Sequence, residues 1–175
     1  VCTVEAEATA LALAVKRPVK VQWTRTQEYR YGFHRAPCRH RLRARLKEGR
    51  ISDWHHRFIS SHILFTNAAL PAWMQGLTDI FAGDKGVARG AMPPYHLGRA
   101  KVDYDPQRLP LLTGPWRGLG AGPNGLVIEL AMDRLAAKAG ADPLDFRLAH
   151  AKHPRLRRVL ERVAVLSGWR SRAAS

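Results

Sequence analysis

Thirteen residues, Thr113-Gly-Pro-Trp-Arg-Gly-Leu-Gly-Ala-Gly-Pro-Asn-Gly125, hold five glycines and lead into an apolar-periodic stretch that predicts a helix over Leu126 to Ala139. Glycine lets a backbone approach a ligand closely and take positive φ, and a helix start presents unpaired N–H groups to an anion. Such a stretch suits the holding of an anionic cofactor. It carries no obvious catalytic residue.

Within it, Gly120-Ala-Gly-Pro-Asn-Gly125 satisfies the G-x-G-x-x-G pattern of dinucleotide sites. Three features weigh against that reading. The preceding segment contains Pro110 and is a poor buried strand. The downstream acids Asp142 and Asp145 fall at a helix start, not at the end of a second strand. Pro123 also removes an N–H that a pyrophosphate would use.

Two other groups could carry chemistry. His34, His40, His55, His56 and His62 accompany Cys38, but their spacings match no zinc pattern, and alternation along a strand sends His55 and His56 to opposite faces. Structural or surface histidines are the expectation, with no metal site. Glu129 and Asp133 lie four apart on one helical face, where a solvated face or pairing with Arg134 or Arg147 is expected in place of an acid–base or cation site. No catalytic residue is assigned.

The elements that must position these residues follow from patterning. Val4 to Val15 reads as a helix with Glu5 and Glu7 near its positive end, stopped by Lys16-Arg17-Pro18. Val19 to Thr24 alternates as a strand would. Arg39, Arg41, Arg43 and Arg45 alternate with His40, Leu42, Ala44 and Leu46, and Gly49 separates this run from Ile51 to Ile59, predicting a hairpin with a solvated or partner-covered arginine face. Ser60 to Gly90 is irregular, and Tyr95 to Tyr104 is extended. Asp142-Pro143 marks one helix start, and Pro154 opens a last helix ending at Gly168. Partial segregation of strands from helices predicts an α+β fold, a mixed sheet with packed helices.

The 175 residues are enough for one domain, and 46% hydrophobic with 25% charged is ordinary globular composition. The 29 Lys+Arg against 14 Asp+Glu give +15, a field that attracts nucleic acid, acidic protein or an anionic cofactor. The arginines are scattered without a nucleic-acid-binding motif; a basic nucleic-acid module would rest on charge and on aromatics such as Trp54 and Trp73. Cys2 and Cys38 form neither a disulfide framework nor a Cys-x-x-Cys. No apolar run is long enough to span a membrane. The chain opens without a signal peptide, which leaves cytoplasmic and periplasmic locations both open.

The chain resembles the molybdopterin-binding large subunit of the xanthine dehydrogenase and aldehyde oxidase family, and within it the isoquinoline 1-oxidoreductase beta-subunit type. The resemblance is carried by Arg17-Pro-Val-Lys-Val-Gln-Trp-Thr-Arg25 with Gln27-Glu28, Gly86-Val-Ala-Arg-Gly-Ala91 and Thr113-Gly-Pro-Trp-Arg-Gly118. Further blocks are Asn124-Gly125, Glu129, Asp133-Arg-Leu-Ala136, Gly140-Ala-Asp-Pro-Leu-Asp-Phe-Arg147, Pro154-Arg-Leu-Arg-Arg-Val-Leu160 and Gly168-Trp169. They stand in the family's order from about residue 5 to 169, and the tail 170–175 diverges. Residues 1–175 are thus expected to be part of a molybdenum cofactor-binding domain.

The resemblance implies an oxidoreductase that hydroxylates an aldehyde or N-heterocycle with oxygen derived from water. It also implies a molybdenum–pyranopterin (molybdopterin) cofactor, a glutamate base, and electrons leaving through a 2Fe–2S small subunit. Arg117 matches the arginine whose backbone reaches the metal centre, with Trp116 and Gly118 as the adjacent wall. Leu119 stands where xanthine dehydrogenases place an aromatic residue against substrate, implying contact through methyls and not by stacking. The family's glycine-phenylalanine-glycine loop is expected before Val1 and its glutamate beyond Ser175. The chain therefore resembles an internal fragment, inactive alone and needing the remaining large-subunit segments, or a structural remnant without redox activity.

Overall fold

The structure is a computed structural model and describes residues 3–63, 73–74, 85–107, 109 and 111–169. Cys2, the tail 170–175 and most of the irregular stretch expected over Ser60 to Gly90 lie outside the described residues. The chain forms two compact units: Val1–Cys38, Ile59–Val87 and Pro106–Leu119 make the first, and Arg39–Phe58, Ala88–Asp105 and Gly120–Ser175 the second.

The first unit contains helices α1 (Thr3–Val15) and α2 (Arg25–Tyr31). Thr24 starts α2 with a capping box: its hydroxyl accepts from the Gln27 N–H at 3.3 Å, while the Gln27 side-chain oxygen accepts from the Thr24 N–H at 2.8 Å. The strand expected over Val19 to Thr24 is not formed. The sidedness is present, with Val19, Val21 and Trp23 half-buried and Lys20 and Gln22 exposed, but the segment joins no ladder among the described residues. Alternation fixes which way side chains point; a strand also needs a hydrogen-bonding neighbour. Trp23 instead donates its indole N–H to Glu7 on α1 at 2.7 Å.

The second unit is built on a three-stranded sheet in the order β1 (Cys38–Lys47), β2 (Arg50–Ser61), β3 (Arg99–Gln107). The predicted hairpin is present, turning through Glu48 and Gly49, both at positive φ. The region expected to be extended from Tyr95 enters the sheet only at Arg99; Tyr95 itself makes an isolated bridge to Ala151.

Helices α3 (Ala121–Lys138), α4 (Pro143–His150) and α5 (Pro154–Ser167) complete this unit. Asn124, Ile128, Met132 and Ala136 recur every four residues as the buried stripe of α3. Ile128, Met132 and Ala136 join Ile51, Trp54, Tyr95, Leu97 and Phe146 in the core. His150, 1% exposed, ties α4 to β2: its Nδ1 donates to the Phe146 carbonyl at 2.7 Å and its Nε2 accepts the Ile51 N–H at 3.1 Å. Asp142 caps α4, accepting from the N–H groups of Leu144 and Asp145, and Gly168 ends α5 in the left-handed region. The α+β expectation holds. No helix among the described residues is long and apolar enough to cross a membrane.

The start of α3 differs from expectation. It begins at Ala121, not Leu126, so Ala121 to Gly125 are helical and the loop ends earlier. Pro123 sits in the first helical turn, where its missing N–H has no intrahelical role. Among the described residues, the segment ahead of Gly120 is turn and no strand leads directly into the helix, which removes the basis of the G-x-G-x-x-G reading.

Candidate functional site

The loop Thr113–Leu119 lies in the first unit, firmly held at its base and open at its tip. Thr113 is fully buried; its hydroxyl donates to the His62 carbonyl at 2.6 Å and meets the Ser61 hydroxyl at 3.2 Å. A parallel bridge joins it to His34, with the His34 N–H on the Leu112 carbonyl at 2.8 Å and the Gly114 N–H on the His34 carbonyl at 3.0 Å. Gly114 admits no side chain, because a Cβ there would stand 2.9 Å from the Phe33 side chain. This buried, bonded base fixes where the next residues project.

Trp116 is 51% exposed, yet its ring is set. The indole N–H donates to the Phe33 carbonyl at 3.0 Å, and the Arg35 guanidinium lies 5.5 Å from the ring centroid. Arg35 also reaches the Leu119 carbonyl at 3.4 Å, and a turn closes through the Leu119 N–H on the Trp116 carbonyl at 2.8 Å. Gly118 (φ +86) and Leu119 (φ 52) adopt consecutive positive φ. Arg117 is exposed, and among the described residues the backbone N–H groups of Arg117 and Gly118 have no hydrogen-bond partner. Among the described residues, nothing lies within 4 Å of where a Gly118 Cβ would stand.

Those features fit an anionic, hydrogen-bond-accepting group: two adjacent free donors, open space in front of a glycine, a guanidinium and a fixed aromatic wall. Sequence reasoning singled out Trp116, Arg117, Gly118 and Leu119 as candidates and missed the residues that support them. Arg35 and Phe33 stand about eighty positions upstream, and no periodic signal links them to the loop.

The other candidate residues occupy structural positions. Glu129 and Asp133 share Arg147, whose guanidinium lies 2.7 Å from each carboxylate and also contacts the carbonyls of Glu129 and Pro143. The Tyr95 hydroxyl donates to Glu129 at 3.0 Å. Burial, then the Glu129 charge, pushes the Tyr95 phenol up to about 12. This network clamps α3 to α4 and the Tyr95 segment.

His55 and His56 do point to opposite faces. His55 pairs with Asp103 at 2.6 Å on the outer face, and His56 is fully buried on the inner one. His56 Nδ1 lies 3.3 Å from the Ala91 carbonyl and so carries the proton, leaving its Nε2 to accept from His40 Nδ1 at 3.0 Å. Burial holds both imidazoles below the ordinary histidine range, assisted at His40 by the neighbouring His56. Cys38 is a free thiol 3.1 Å from the Ser60 hydroxyl. Trp54 is 1% exposed and packed in the core, so it provides no surface for stacking a base.

This chain belongs to the molybdopterin cofactor-binding domain family, which it matches over residues 1–151. It is 30% identical over 169 residues, 94% of its length, to a nicotinate dehydrogenase subunit of Pseudomonas putida. It is 28% identical over 174 residues, 96% of its length, to the beta subunit of isoquinoline 1-oxidoreductase from Brevundimonas diminuta. The chain spans only 14% and 21% of those two proteins. Among solved structures, the aldehyde oxidoreductase of Desulfovibrio gigas shares the fold at a TM-score of 0.63 and 24% identity, over 86% of this chain and 16% of that one. The aldehyde oxidoreductase of Desulfovibrio desulfuricans does so at 0.61 and 21%, with the same coverage.

Proposed function

We propose that this chain supplies one wall of the cofactor site of a molybdenum hydroxylase large subunit. The observation that carries the reading is the pair of free N–H groups at Arg117 and Gly118, beside open space and a tryptophan whose orientation is fixed. The molybdenum–pyranopterin group, when bound, supplies the redox chemistry that moves water-derived oxygen onto an aldehyde or N-heterocycle. The chain's own residues bind and orient. The two amides donate to acceptor oxygens of the cofactor, the Trp116 ring excludes water from one side, and Leu119 offers methyl contacts to a substrate ring.

The named relatives favour an N-heterocycle as substrate, and their designations as subunits accord with a multi-chain enzyme. A 2Fe–2S subunit and the remaining large-subunit segments complete that assembly. The test is to produce the chain with those partners and supply nicotinate, isoquinoline and an aromatic aldehyde in water labelled with oxygen-18. One labelled oxygen in the product is the expected result. Product without label, or no turnover of any of the three by a complex that holds the cofactor, overturns the proposal.

A further inference from the structure

Strand β1 is an edge of the sheet, hydrogen-bonded to β2 alone among the described residues. Its outward positions are Arg39, Arg41, Arg43, Arg45 and Lys47, all exposed. Alternate residues on a strand stand about 6.8 Å apart, so the edge presents five cations at regular spacing on one face. Among the described residues, Arg39, Arg41 and Arg43 make no ion pair. The other edge, β3, differs: Arg99 is paired with Asp53, and Lys101 with Asp103.

Charges on an edge often serve only to keep sheets from joining. The inner side of β1 calls for more. Beneath the same edge runs an open groove of about 370 Å³ between His40, Leu42 and Ala44 on β1 and Val127, Leu130 and Leu135 on α3. Leu42 and Ala44 are only half-buried, and Leu130 is 50% exposed. Among the described residues His40 Nε2 is buried without a hydrogen-bond partner; with Nδ1 committed as donor to His56, it presents an acceptor lone pair. The edge therefore leaves three complementary vacancies: main-chain hydrogen bonds, cations outward, and apolar volume inward.

We propose that β1 is a strand-addition site for an extended segment of a partner polypeptide in which acidic and apolar residues alternate. Pairing along β1 would place each partner carboxylate opposite an arginine at cross-strand distance, about 4.5–5.5 Å between Cβ atoms. The partner's apolar residues, facing the other way, would enter the groove between β1 and α3. Main-chain bonds supply affinity and the alternation supplies register. A second copy of this edge is disfavoured, since it would set like charges against one another.

Binding of a fluorescent decapeptide alternating glutamate with valine or threonine to the full chain, read by anisotropy at physiological salt, tests this. Two control peptides act on the unaltered protein: one with the same residues but its glutamates in a single block, and one N-methylated at every second amide. Each is expected to bind at least tenfold more weakly. Arg41→Glu with Arg43→Glu, checked for folding by circular dichroism, should weaken the alternating peptide by at least tenfold. Equal binding of the block peptide, or indifference to N-methylation, would reduce the ladder to a nonspecific cationic face and overturn the proposal. Tighter binding of a single-stranded oligonucleotide of equal charge would overturn it as well.

Discussion

Replacing Gly118 by alanine separates what the loop needs in order to fold from what it needs in order to bind. At φ +86 an alanine is strained, and the left-handed region costs an L residue about 1–2 kcal/mol. No clash adds to this, because the new Cβ has no neighbour within 4 Å among the described residues. Gly49 is a matched control in the β1–β2 turn, with φ +72 and the same open surroundings. Gly49→Ala and Gly118→Ala should therefore lower unfolding free energy by similar amounts, about 1 kcal/mol each, in urea titrations. They should part company on cofactor. A methyl in front of the Arg117 and Gly118 amides denies close approach, so pterin released on acid denaturation should fall at least tenfold in Gly118→Ala and stay unchanged in Gly49→Ala. Equal pterin in both variants would refute the assignment of those amides. A loss of stability at Gly118 several times that at Gly49 would refute the structural reasoning.

Gly98→Ala is expected to be far more damaging than either, because its Cβ would overlap the Ser52 carbonyl oxygen at φ +62. Strain and overpacking together imply about 3 kcal/mol, and a change below about 1 kcal/mol in urea unfolding would contradict this. For Tyr95 the folded pKa of about 12 exceeds the ordinary phenol value of 10.0. Its contribution is intact below pH 10 and lost as pH rises toward 12, a decline that Tyr95→Phe should remove from the stability profile. His40 and His56 have folded pKa values below 6.5, so their contribution is present above pH 6.5 and lost as pH falls beneath it. Urea midpoints between about pH 8 and pH 5 should fall less in His40→Leu than in the unaltered chain; equal falls would sink the account of the pair.

Much of this was legible because it is local. The Asp142-Pro143 cap, the Gly168 stop and the hairpin through Gly49 each depend on a few consecutive residues whose backbone preferences agree. The arginine ladder's exposure followed from alternation alone. Val19 to Thr24 carried the same alternation and formed no strand, since a ladder partner is a property of the whole chain. Helix α3 starts five residues earlier than patterning predicts, because glycine and proline oppose helix in its interior whereas a first turn tolerates proline. At the candidate site, Trp116 to Leu119 stood out through glycine content and family resemblance. The Phe33, His34 and Arg35 scaffold beneath them depends on long-range contacts that no spacing reports. The His40–His56 relay was hidden for the same reason: two histidines sixteen positions apart become neighbours only across the hairpin.

The central claim is that the Trp116–Leu119 loop helps to hold a molybdenum cofactor. Its most direct test is molybdenum per chain, by elemental mass spectrometry, on the chain purified with its complementary large-subunit segments from a host that makes the pyranopterin. A value near one is the expected result. A value near zero in folded complex would contradict the claim.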